Sequence, residues 1–255
     1  MKIGIYQGPP TGGDAEAGLA RIRQQLDAAA RAGARMVTFP ELYLPGYNQP
    51  ALHLGQSQPR GGDWCNRLAE MARASGCGLT IGWAERDGDA VYNAATAFGP
   101  DGAVLAHYRK VQLFGPMEKA SFAFGDAYSL FEFDGRTCAL MICYDVEFSH
   151  HLQALARKGV DLVLVPTANP AGFENVSRLT VPAQAYTHAV TIAYANYCGT
   201  EGDLLFGGHS LVAAPDGSVL AAAHTTETLI VTDIAHDADP ALLSTQLADY
   251  REIPE

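Results

Sequence analysis

Ten residues, Ala139-Leu140-Met141-Ile142-Cys143-Tyr144-Asp145-Val146-Glu147-Phe148, constrain the fold more than any other part of the chain. An apolar run of strand character stops at a cysteine, and a segment of helical character follows. Such a strand–turn–helix holds one side chain at the end of a rigid element, with backbone N–H groups of the next turn free to meet an anion. Two other short segments carry an acid and a base that a thiol in this position can use. They are Thr38-Phe39-Pro40-Glu41-Leu42 and His107-Tyr108-Arg109-Lys110-Val111.

The surrounding pattern alternates strands with helices. Ile3 to Gln7 reads as a strand, and Asp14 caps a helix with Leu19, Ile22, Leu26 and Ala30 at helical spacing that stops at Gly33. Arg35 to Phe39 is the next strand. A helix from Asp63 toward Gly76 precedes strands over 78–84, 91–99 and 104–108, separated by Asp87-Gly88 and Pro100-Asp101-Gly102 turns. After a long loop, strands are expected over 129–133 and 137–142, a helix over 146–158, and a strand over 160–165 that is apolar enough to be covered on both faces. A helix over 181–188 and strands over 191–196, 207–214, 219–223 and 229–233 complete the series. No internal repeat or Pro/Ser-rich linker interrupts it, so residues 1–255 read as one domain, with the weakly patterned stretch after about 235 as a C-terminal arm. Strands joined both by helices and by hairpins imply mixed sheets, and two facing sheets flanked by helices use that inventory.

Composition narrows the partners. The formal net charge of −11 argues against nucleic acid or an anionic membrane surface. No segment has the length of a membrane span, and the N-terminus lacks the apolar stretch of a signal peptide. The five cysteines, odd in number and set in apolar or helical patterns without a CxxC pair, read as reduced thiols of a cytoplasmic protein rather than metal ligands.

A free thiol is mostly protonated at neutral pH. A lysine ammonium about 4 Å away favours the thiolate by roughly 4 kcal/mol at an effective dielectric of about 20, before nearby carboxylates subtract from it. A carboxylate can take the thiol proton and return it to a leaving amine. Cys143, Lys110 and Glu41 are therefore chemically sufficient for covalent hydrolysis, and all three fall at the ends of predicted strands. Each alone also has an inert reading: a buried cysteine, a solvated strand-end lysine, an exposed loop acid.

Together the segments resemble the nitrilase superfamily of carbon–nitrogen hydrolases. Phe39-Pro40-Glu41 with Gly46-Tyr47 looks like that family's glutamate motif, Tyr108 through Phe114 like its lysine motif, and Cys143-Tyr144-Asp145 like its cysteine motif. Their order and separations match too, and the similarity runs to about residue 234. The resemblance implies a four-layer αββα sandwich of two mixed sheets, commonly paired across a homodimer or higher homo-oligomer, with no cofactor and no metal. It makes Cys143 the nucleophile, Glu41 the general base and then acid, and Lys110 with the Tyr144 N–H the oxyanion site. Glu118 matches a second glutamate that orients the lysine; its alternative is a loop acid paired with Lys119.

Tyr144-Asp145 after the cysteine resembles amidase branches, since nitrile-hydrolysing ones usually carry tryptophan there. Carbamoyl-cleaving branches place a basic pair where this chain has Val146-Glu147. Ser149-His150, Gln184 and Thr187 depart from common family residues at sites tied to packing and assembly. The expected substrate is a small, largely apolar carboxamide held near Tyr47, Phe114, Tyr144, Asn169 and Phe173 and released as carboxylic acid and ammonia through a thioester. The alternatives are a nitrilase, an N-carbamoyl amino acid amidohydrolase, or a ligand-binding member without catalysis. A papain-like thiol hydrolase would instead draw on His150, His151, His188 or His209.

Overall fold

Helix α1 (Ala15–Arg31) follows strand β1 (Lys2–Gln7) and begins at Asp14, whose carboxylate accepts a hydrogen bond from the Ala17 N–H at 3.0 Å. Leu19, Ile22, Leu26 and Ala29 form its buried stripe, the three-to-four spacing of a helix with one apolar face. The computed structural model describes residues 1–234 and 239–251. In chain order the further elements are β2 (Met36–Thr38), α2 (Pro50–Gln56), α3 (Asp63–Ser75), β3 (Gly78–Asp87), β4 (Ala90–Phe98), β5 (Val104–Arg109), α4 (Gly115–Ser121), β6 (Ser129–Phe133) and β7 (Arg136–Leu140). There follow α5 (Ser149–Ala156), β8 (Leu162–Pro166), α6 (Val181–His188), β9 (Thr191–Ala195), β10 (Cys198–Glu201), β11 (Leu204–Gly207), β12 (Leu211–Ala213), β13 (Val219–Ala222), β14 (Thr228–Asp233) and α7 (Gln246–Asp249).

Two six-stranded mixed sheets face each other, ordered β14-β1-β2-β3-β4-β5 and β6-β7-β8-β9-β12-β13. Read in that direction, each pairs antiparallel, parallel, parallel, antiparallel, antiparallel. The topology therefore repeats although the sequence does not. Residues alternate across each strand, so Ile3 and Ile5 of β1 and Leu162 and Leu164 of β8 enter the core between the sheets. Val163 and Val165 face the other way, into a layer with Leu152 and Leu155 of α5 and Val181 and Ala185 of α6. Tyr6 and Val37 meet α1 and α3 on the outside of the first sheet. The expected αββα sandwich is borne out, and among the described residues no helix is long and apolar enough to cross a membrane.

Several boundaries differ from the sequence reading. The helix expected over 146–158 is a 3-10 turn, Cys143–Glu147, followed by α5. The Asp145 carboxylate accepts from the Ile142 N–H at 3.1 Å, tightening the turn, and Phe148 is extended, which separates the two pieces. The strand expected over 207–214 breaks at Gly208 and His209, both at positive φ, where Ser210 turns to bond Gln7. The long loop before β6 contains α4, and α2 and the β10–β11 hairpin also escaped the pattern. Of the predicted C-terminal arm, 235–238 and 252–255 lie outside the described residues, while α7 lies beside α6 of its own chain.

Candidate active site

Glu41, Lys110 and Cys143 lie just beyond the ends of β2, β5 and β7, where the strand ladders stop and the chain is free to turn inward. The 39–44 segment runs along β3, with the Phe39 N–H donating to the Thr80 carbonyl, Gly82 to Pro40 and Tyr43 to Gly82. It comes so close that a Cβ on Gly82 would stand 2.5 Å from the Glu41 Cα, so only glycine fits there. Leu42 adopts a φ of 46° and Cys143 a φ of 45°, a left-handed conformation that side chains other than glycine rarely hold. Both sharp turns occur beside a candidate reactive side chain, where such strain commonly concentrates.

Lys110 is fully buried, and its Nζ donates to Glu41 Oε1 at 2.6 Å and to Glu118 Oε1 at 2.8 Å. Glu118 is no loop acid paired with Lys119. It is buried in α4, accepts from the Tyr47 hydroxyl at 2.7 Å through Oε1 and from the Phe114 N–H at 3.0 Å through Oε2. Asn93 of β4 donates to Glu41 Oε1 at 2.7 Å and accepts the Lys110 N–H on its backbone carbonyl. Glu41 Oε2 has no hydrogen-bond partner among the described residues.

Electrostatics set the resting protonation. Burial raises the pKa of Glu41 to about 7 and Glu118 adds to that, with Lys110 opposing. Burial pulls Lys110 down, but the two carboxylates outweigh it and hold the ammonium charged. For Cys143, burial and then Glu41 push the pKa well above the usual thiol range, against Lys110. The expected depression of the thiol by Lys110 is thus overridden. Cys143 rests as a thiol beside a carboxylate of raised basicity.

Cys143 opens on a cavity of about 250 Å³ that is also lined by Tyr47, Phe114, Tyr144, Ala168, Asn169, Pro170 and Phe173, together with Glu147. All five predicted pocket residues therefore converge. The other four cysteines are buried away from it. The four histidines considered for a papain-like reading do not line this cavity: His151 bonds Tyr128 and Gln112, His188 bonds Ser149 and Gln184, His209 bonds Arg178, and His150 is exposed.

Asp145, Asn93 and Glu147 did not emerge from the sequence as site residues. Asp145 ties the lysine segment to the cysteine turn, accepting from the Gln112 N–H at 2.7 Å and the Tyr108 hydroxyl at 2.9 Å as well as Ile142. Thr167, just beyond the end of β8, receives the Glu41 N–H on its carbonyl, and its buried hydroxyl has no hydrogen-bond partner among the described residues. The signals available were buried Asn93 within the largely apolar β4 and the place of Asp145 in the cysteine motif.

The arrangement is that of a hydrolase acting on carbon–nitrogen bonds: a thiol, a carboxylate and an ammonium gathered behind a small cavity. The carbon-nitrogen hydrolase family profile matches residues 2–240, and the chain belongs to that family. It is 37% identical to a hydrolase encoded in the pqqF 5′ region of Pseudomonas protegens, over 91% of this chain and 81% of that protein. It is 31% identical to an omega-amidase of Xenopus tropicalis, over 85% and 82%. An amidase from Nesterenkonia sp. AN1 superposes with a TM-score of 0.90 at 35% identity, covering 98% of this chain and 96% of that one. Forms of that amidase carry acrylamide added at its active-site cysteine or hold butyramide.

Proposed function

We propose that the chain hydrolyses a small, largely apolar carboxamide to carboxylic acid and ammonia through a thioester on Cys143. The observation that carries this reading is the strained Cys143 turn facing the cavity, with the Glu41–Lys110–Glu118 cluster acting on it from behind. Glu41 takes the thiol proton as sulfur attacks the amide carbon. The tetrahedral oxyanion is held between the Lys110 ammonium and the Tyr144 backbone N–H. Glu41 then passes its proton to the departing amine, the C–N bond breaks, and ammonia leaves a thioester. Water, deprotonated by Glu41, adds to that thioester, the C–S bond breaks, and the acid is released with Cys143 reprotonated. Glu118 and Tyr47 keep Lys110 aimed at the oxyanion.

A cavity near 250 Å³ is below the usual 300–1,000 Å³ range of drug-sized ligand sites, which favours a short acyl group. Butyramide in the Nesterenkonia amidase is a ligand of that size. The same reading takes residues 1–255 as one domain working in the cytoplasm as a homo-oligomer. Exposed Leu179 and Tyr186 beside α5 and α6 support an assembly face there.

The test is ammonia release from aliphatic amides, ω-amides, nitriles and N-carbamoyl amino acids by wild type and Cys143→Ala. Carboxamide turnover lost in the variant is the expected result. Preference for nitriles or carbamoyl compounds would overturn the amide assignment, and undiminished activity in the variant would overturn Cys143 as nucleophile.

A further inference from the structure

Among the described residues lining the cavity, Glu147 supplies the one carboxylate, and no Lys or Arg lines it. Its side chain makes no hydrogen bond or ion pair with any described residue; only its backbone carbonyl is used, by Gln184 at 3.3 Å. Burial raises its pKa and Lys110 draws it down, yet the Lys110 ammonium is already shared between Glu41 and Glu118. Glu147 is therefore a cavity carboxylate left without a counter-charge.

Phe114, Tyr144 and Phe173 line the same cavity. Phe114 meets Tyr144 at 5.2 Å and 71°, and Phe173 at 6.1 Å and 83°, both edge to face. Aromatic faces joined to a single carboxylate form the set of groups that binds an ammonium ion, by cation–π attraction and a charge-assisted hydrogen bond. A carboxylate-bearing ligand in the same space would face repulsion from Glu147, with no Lys or Arg among the lining residues to receive it. The net charge of −11 adds a field of the same sign.

We propose that Glu147 is a specificity-determining residue that selects amides whose short acyl chain ends in a protonated amine and rejects those ending in a carboxylate. The proposal rests on the amide-hydrolase reading and narrows its substrate to aminoacyl amides. The hydrocarbon part of the acyl chain lies against the aromatic wall, and the ammonium supplies the partner that Glu147 lacks. A carboxylate kept only for structure would be bonded, as Glu85 is through both oxygens by Arg109 and His107.

Three amides of similar size separate the charges: 3-aminopropanamide, butyramide and succinamic acid. Wild type should show kcat/KM at least ten-fold higher for 3-aminopropanamide than for butyramide, and succinamic acid should be the poorest of the three. Glu147→Gln should lower the cationic-to-neutral ratio at least ten-fold, and Glu147→Lys should place succinamic acid above 3-aminopropanamide. Equal use of butyramide and 3-aminopropanamide by wild type, or an unchanged ratio in Glu147→Gln, overturns the proposal. A second readout needs no turnover: protection of Cys143 from iodoacetamide by the same three amides, followed by mass spectrometry. Protection ranked by charge without ammonia release would overturn hydrolysis and sustain the selectivity. Equal protection by all three would overturn the selectivity whatever the turnover.

Discussion

Arg109 and Lys110 are neighbours in sequence, and each faces a carboxylate system with properties opposite to the other's. Arg109 donates to Glu85 through Nε at 2.8 Å and Nη2 at 2.7 Å, reaches Asp87 at 2.7 Å, and lies 3.8 Å over the Tyr92 ring. Trp83 donates to the Thr96 hydroxyl, Thr96 bonds His107 Nδ1, and His107 Nε2 completes the set on Glu85 at 2.8 Å. Burial pushes Glu85 up, but the hydrogen bonds from Arg109 and His107 outweigh it and hold its pKa at about 2. Glu41 has Lys110 and Asn93 on one oxygen and nothing on the other, and burial wins. The difference lies in how completely a buried carboxylate is bonded. Full bonding makes a structural anion, and partial bonding makes a base.

The largest break in this comparison comes from removing each cation. Lys110→Met strands two buried carboxylates and should cost about 3–5 kcal/mol of stability, the usual penalty for orphaning a buried charge. On the proposed chemistry it also removes an oxyanion donor, so kcat should fall roughly 10²–10³-fold or more. Arg109→Gln leaves Glu85 with His107, and the loss should be about 2 kcal/mol, with amide turnover little changed. Urea unfolding and ammonia release on both variants decide it. An Arg109 variant as inactive as Lys110→Met would mean the two systems are not separate.

Titration sharpens the same contrast. The folded-state pKa of Glu41 lies above its unfolded value of 4.5, so the native state holds that proton more tightly. Its contribution favours folding at low pH and is lost as pH rises from about 4.5 through 7. Glu41→Gln cannot titrate, so its stability relative to wild type should rise across that window, while kcat falls about 10²–10⁴-fold with the loss of the base. Wild-type activity should in turn climb with pH through an apparent pKa near 7. Glu85 has the opposite sign: its stabilisation is present above 4.5 and is lost as pH falls toward about 2. Glu85→Gln should therefore flatten the acid limb of unfolding, by on the order of 2 kcal/mol once solvent screening is allowed for, and leave the neutral limb unmoved. Chemical denaturation at pH 3, 5 and 8 separates the two residues.

What the sequence could reveal follows from the range of the interactions. Glu41, Lys110 and Cys143 each sit in a short motif at a strand end, so local pattern exposed them, and Glu118 was visible only through the family resemblance. Two facing sheets flanked by helices were legible from strands joined both by helices and by hairpins and from the wholly apolar β8, while the αββα order came with the family resemblance. Asn93 was not legible, because it comes to Glu41 from β4, across a pairing that only the folded sheet creates. The Asp145 bonds that tie the lysine segment to the cysteine turn join residues more than thirty positions apart, from the β5 end to the β7 end. The repeated strand order was hidden for a related reason. Many apolar sequences satisfy one strand position, so matching topology needs no matching residues.

The smallest expected effects come from the two tyrosines that flank these cations. Tyr47 donates to the same Glu118 oxygen that receives Lys110, so it fixes the carboxylate on which the ammonium rests. Tyr47→Phe keeps the ring in the cavity wall and removes only that hydrogen bond. Glu118 Oε1 retains Lys110, and stability should change by about 1 kcal/mol. A loosened Lys110 is felt where oxyanion charge develops, so kcat should fall several-fold with KM held nearly constant. Tyr92→Leu removes the ring under Arg109 and should cost about 0.5–1 kcal/mol, with no change in kcat, because the Arg109–Glu85 bonds remain and none of them reaches Cys143. Equal kinetic effects from the two substitutions would show that Tyr47 acts only through packing, and the role of Glu118 in aiming Lys110 would then fail.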